Sequence, residues 1–103
     1  MEFIFTGPMI EWRGPAPFFY VVIPETVCEE IKTAAKQLSY GWGVIPVTAT
    51  IGKTTFTTSL FPKNGGYLLP VKNAVRIPES LELDQQVKVK LVLLLANYWY
   101  LSN

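Results

Sequence analysis

Histidine is absent from this chain of 103 residues, and cysteine occurs once, at Cys28. The first absence removes His-based catalytic triads and His-ligated metal sites. The second removes multi-cysteine metal centres and any disulfide within the chain. Charge is also scarce. Only 17% of residues are charged, and nine Lys+Arg against eight Asp+Glu leave a formal net charge of +1. With a pI near 7.8, the chain carries little of the basic footprint of a duplex binder. Long hydrophobic runs are missing too. The uncharged stretches Ser39 to Gly52 and Leu91 to Asn103 fall short of the roughly 18 to 20 apolar residues of a spanning helix. Met1 to Pro8 lacks the basic and apolar regions of a secretory signal. What the chain does have is core material, since half of it is hydrophobic. That balance predicts one globular domain over residues 1–103 rather than disorder. The expected location is cytoplasmic, where a lone thiol stays reduced, with no membrane contact.

Phe3 and Phe5, alternating with Glu2, Ile4 and Thr6, predict a first strand running towards Trp12 with an interruption at Pro8. Gly14-Pro15-Ala16-Pro17 reads as a loop. Phe18 to Ile23 is an unbroken aromatic and β-branched run, the pattern of a strand buried on both faces. Past Pro24 the period becomes helical, with Val27, Ile31, Ala35 and Leu38 forming one apolar stripe. Thr26-Val27-Cys28-Glu29 has the spacing of a capping box. Glu25, Glu29 and Glu30 precede Lys32 and Lys36, the order a helix dipole favours. One main helix is predicted over about 24–39.

The strongest local pattern follows. Ile45, Val47, Ala49 and Ile51 alternate with Pro46, Thr48 and Thr50; after Gly52-Lys53, Thr54, Phe56, Thr58 and Leu60 alternate with Thr55, Thr57 and Ser59. A two-residue Gly-X loop favours a type II′ hairpin. Its register would pair Ile51 with Thr54, Ala49 with Phe56, Val47 with Thr58 and Ile45 with Leu60, so that apolar residues share one face and threonines the other. Pro62 to Gly66 reads as a turn, Tyr67-Leu68-Leu69 as a short strand ending at Pro70, and Val71, Ala74 and Val75 as one or two helical turns. Val87 to Leu91 is a last alternating strand, apolar on both faces from there to Leu95. The fold expected is mainly β, a β-barrel with one main α-helix: a small closed or split β-barrel of about six strands, capped by the helix.

Several ordered blocks, including Trp12-Arg13-Gly14, Phe19 to Pro24, Gly41-Trp42-Gly43-Val44, Val47 to Gly52, Thr57 to Pro62 and Tyr67 to Lys72 with Ala74-Val75-Arg76, resemble the domain of unknown function nineteen-oh-five family. The resemblance covers about residues 3–93, leaving an apolar aromatic tail at 96–103. It implies a small helix-capped β-barrel without an assigned activity. The family pattern has Gly-Asp before the last strand, where this chain has Asp84-Gln85. Residues 69 to 76, followed by Leu83 and Val87, are also similar to the split-barrel halves of AbrB-type regulators and antitoxins, a likeness of fold that does not carry function.

Candidate chemistry is sparse. Cys28 lies near the helix start, but Glu25, Glu29 and Glu30 surround it and disfavour the thiolate. Glu79, Glu82 and Asp84 cluster where a solvated turn also needs acids. No catalytic residue, cofactor or metal is expected, and an enzyme using Arg13, Lys53 or Glu82 is the remote reading. Trp12, Arg13 and Trp42 are ligand-binding candidates, since loop aromatics stack ligands and arginine grips anions; plugging the barrel ends is the plainer role for the tryptophans. Residues 52–103 hold six bases against three acids. Lys72 and Arg76, four apart and so on one helical face, with Lys88 and Lys90, would contact phosphates in an AbrB-like DNA-binding alternative. Tyr98, Trp99, Tyr100 and Leu101 extend an apolar strand that either folds back over the barrel or pairs with another copy, and they are the self-association candidates. The expected function is a non-enzymatic binding or interaction module that forms a homodimer.

Overall fold

In a computed structural model that describes residues 2–13, 18–37 and 45–94, the Thr-rich hairpin pairs in the register its alternation dictates. Strand β3 (Ile45–Ile51) meets β4 (Thr54–Lys63) with Ile51 opposite Thr54, Ala49 opposite Phe56, Val47 opposite Thr58 and Ile45 opposite Leu60. Of the two loop residues only Gly52 takes a positive φ, +58°, as a II′ turn requires. Thr50 and Thr55 hydrogen-bond across the outer face, their hydroxyls 2.9 Å apart.

The remaining elements are β1 (Glu2–Trp12), β2 (Phe18–Val22), α1 (Glu25–Gln37), β5 (Gly66–Val71), α2 (Asn73–Arg76) and β6 (Gln86–Leu93). The six strands close into an antiparallel barrel in the order β1-β2-β5-β4-β3-β6. The fold is therefore mainly β with one main helix, as the pattern predicts. Inward positions alternate as a barrel demands: Phe5 and Met9 of β1, Val21 of β2, Val47 and Ala49 of β3, Leu69 and Val71 of β5, and Val87, Val89 and Leu91 of β6 form one continuous core. Cys28, Ile31, Ala34 and Ala35 of α1 pack onto that core. Among the described residues no helix is long and apolar enough to cross a membrane.

Five expectations change. Pro8 does not interrupt β1; it is where β1 exchanges partners, with Glu2 to Pro8 pairing β6 and Met9 to Trp12 pairing β2. The missing proline donor is tolerated there because the neighbouring Met9 N–H takes over, bonding the Gln85 carbonyl at 2.9 Å. Gly7 makes the crossing possible, since a Cβ there would collide with the Val22 carbonyl. The helix begins at Glu25, so Thr26 lies inside the first turn and cannot cap it. The Pro24 carbonyl instead accepts the Cys28 N–H at 2.9 Å. Strand β4 runs through Pro62 to Lys63, and the turn shrinks to Asn64-Gly65 at φ 52° and 80°, the positive-φ pair of a I′ hairpin. Likewise β5 passes through Pro70 to Val71. Finally, β2 is not buried on both faces: Phe18 is exposed, for the reason given next.

Candidate functional site

Alternation around a closed barrel leaves an outer face, and where β1, β2, β5 and the end of β4 come together part of that face is apolar. Trp12 stands opposite Phe18, Ile10 opposite Tyr20, and Phe61 opposite Leu68. Cross-strand partners share a face, so these six side chains meet. The rings form a continuous run. Trp12 stacks on Phe18 with centroids 6.4 Å apart, Phe18 lies 6.5 Å from Tyr20, and Tyr20 lies 5.8 Å from Phe61. Together the six residues line a groove of about 540 Å³, in which Glu11 and Lys63 are the charged lining groups. Tyr20 and Leu68 form its buried floor, while Trp12, Phe18 and Phe61 stay about half exposed at 50%, 50% and 49%. In the single chain this contiguous aromatic surface is exposed, an arrangement found where a protein meets a partner or ligand.

Trp12 thus lies on the outer wall of the barrel and does not plug its end. Arg13 pairs with Glu11, Nε to Oε1 at 3.5 Å, and is 85% exposed. Trp42, and the self-association candidates Tyr98, Trp99, Tyr100 and Leu101, lie outside the described residues. Phe18, Tyr20, Phe61, Ile10 and Leu68 are the site residues the sequence reading misses. For Ile10, Phe18 and Tyr20 the signal is the even-numbered apolar residues of β1 and β2, hidden in β2 by the unbroken apolar run Phe18 to Ile23; Phe61 in β4 and Leu68 in β5 join them only through strand pairing.

The basic candidates do not form a single cluster. Lys72 sits in extended conformation before α2, so it does not share a helical face with Arg76. The Arg76 guanidinium lies 4.2 Å over the Phe19 ring, and its Nε donates to Asn73 Oδ1 at 3.2 Å. Lys88 and Lys90 are exposed on the outer face of β6, with Lys90 3.8 Å from Glu2. Lys53 stands at the hairpin tip, where its N–H donates to Glu79 rather than to Glu82. Glu82 is exposed, its N–H donating to Gln85 Oε1 at 2.9 Å.

At the α1 end, the Cys28 thiol donates to the Ile23 carbonyl at 3.4 Å and accepts the Tyr67 N–H at 3.3 Å. It is buried and bonded in place. The Tyr67 phenol beside it is held above its usual 10.0, first by burial, with Cys28 and Glu29 adding to the effect and Lys32 opposing it.

Residues 5–91 match the family described as Domain of unknown function (DUF1905). The chain belongs to this family. No curated protein matches it. The match spans β1 to β6 and takes in every residue lining the aromatic groove. Asp84, where the resemblance implies a glycine, adopts φ 66°, a left-handed backbone that glycine takes freely. The turn into β6 is held by the Asp84 N–H to the Met9 carbonyl at 2.8 Å.

Proposed function

We propose that the chain is a non-enzymatic interaction module that works as a homodimer, and that the outer aromatic groove is its contact surface. One observation carries this reading: four rings in one continuous run on the outside of a closed barrel, three of them half exposed. Interfaces are rich in Trp, Tyr and Phe at their centres, and barrel closure leaves side chains rather than strand edges as the means of contact. The cytoplasm is part of the proposal, supported by a single free cysteine. Light scattering over a concentration series tests it. The expected result is a mass near twice 11.6 kDa that persists in high salt, because apolar contacts are not screened. A mass of one chain at every concentration contradicts the dimer.

A second reading, an AbrB-like DNA-binding regulator, is favoured by Lys88 and Lys90 lying side by side on the outer face of β6, near Thr6 and Thr50 of the flanking strands. Ammonium and hydroxyl groups so placed suit phosphate contacts. Titration against labelled random duplex DNA at low and physiological salt tests it. Affinity that falls steeply with salt supports this reading, and no binding even at low salt removes it.

A further inference from the structure

We propose that the groove formed by Trp12, Phe18, Tyr20 and Phe61 receives the segment Tyr98-Trp99-Tyr100-Leu101 of a second copy of this chain, the two copies exchanging segments reciprocally. This rests on the homodimer reading above and names the surfaces that meet.

The chemistry matches on both sides. The groove is aromatic and apolar with one acidic and one basic lining residue. The sequence after Leu94 runs Leu-Ala-Asn-Tyr-Trp-Tyr-Leu-Ser-Asn, with no charged side chain and three consecutive aromatics. The four rings of the groove are spaced about 6 Å apart. An extended chain places alternate side chains on one face at roughly 7 Å intervals. Tyr98 and Tyr100 can therefore lie against successive rings, or Trp99 and Leu101 can do so.

Strain, not distance, separates the chain's own groove from that of a second copy. The Leu94 N–H bonds the Pro46 carbonyl, Pro46 stands opposite Ser59, and Phe61 lies two residues further along β4. Two strand spacings and two residues amount to about 12 Å. The Cα steps from Leu94 to Tyr98 allow about 14 Å when fully extended, so a chain reaches Phe61 of its own groove only with residues 95–97 drawn nearly straight across the outer face. Segment 98–101 would then start at Phe61, and its span of about 10 Å would end short of Trp12. A segment arriving from another copy is free to centre on Tyr20 and Phe18, and short taut connections favour exchange. A twofold pair then buries two grooves at once.

Mixing full-length variants tests this. Phe61→Ser removes an exposed groove ring and Trp99→Ser weakens the segment; each alone is expected to halve the solution mass with an unchanged circular dichroism spectrum. Mixed in equal amounts, the two are expected to recover a two-chain species containing one of each, since one intact segment then meets one intact groove. A Phe61→Ser chain that stays dimeric while Trp99→Ser becomes monomeric overturns the groove assignment and leaves the homodimer reading standing. A wild type that is monomeric at all concentrations overturns both. Two monomeric variants whose mixture stays monomeric at millimolar concentration overturn the exchange. Should either variant unfold, Phe18→Ser, at a half-exposed ring, and Tyr100→Ser form the replacement pair, read by the same mass recovery.

Discussion

Gly7 and Asp84 show how single positions set this barrel's geometry. Gly7 still pairs β6 just before β1 turns to β2, with the Val22 carbonyl occupying the space a side chain would need. Gly7→Ala is expected to cost about 1–3 kcal/mol, the usual range for forcing atoms into a packed site, read as a lower urea midpoint. Asp84 is the converse case, a residue with a Cβ in a left-handed backbone. Asp84→Gly removes that strain and is expected to raise stability by about 0.5–1 kcal/mol after the entropy lost by the freer chain is offset; a lower midpoint would contradict the account. The glycine preference at 84 was legible through the family resemblance alone. The role of Gly7 was not legible, because nothing local announces that another strand's carbonyl passes there.

At the scale of elements, the β3–β4 hairpin was legible down to its register because alternation and a Gly-X loop act within one short stretch. The I′ turn at Asn64-Gly65 is equally local, but Pro62 and Lys63 hide its edge, because residues typical of turns continue strand β4 there. The connection from α2 to β6 is different, being secured by a long-range contact. The Glu79 carboxylate accepts the Thr54 hydroxyl at 2.6 Å and the Lys53 N–H at 3.3 Å, fastening that connection to the hairpin tip. Glu79→Ala should cost about 1–2 kcal/mol and speed amide exchange at Lys53 more than in the middle of β3. Helix α1 is tied to β5 through Cys28 and Tyr67. The raised Tyr67 phenol gives this junction a pH signature. A group whose folded pKa lies above its unfolded value contributes stability that is full below the unfolded value, here 10.0, and is lost as pH rises through the folded one. Urea midpoints measured from pH 9 to 11 should fall less steeply for Tyr67→Phe than for the wild type.

For the whole molecule, closure of the barrel rests on the β1–β6 and β2–β5 pairings, which join segments far apart in sequence and leave no local mark beyond the number of strands. The outer aromatic groove is a product of that closure. Trp12 was legible as a candidate, but its assembly with Phe18, Tyr20 and Phe61 was not, because a run such as Phe18 to Ile23 looks the same whether its second face is covered by helix, by solvent or by another chain. If a partner surface covers this groove in solution, Trp12 is shielded in the dimer and bare in the single chain. Hydroxyl-radical footprinting of the unaltered chain, read at Trp12 by mass spectrometry, measures that shielding. Weak labelling of Trp12 in concentrated protein and strong labelling on dilution, as the copies separate, is the expected result. Strong labelling that does not change with concentration rules the covered groove out.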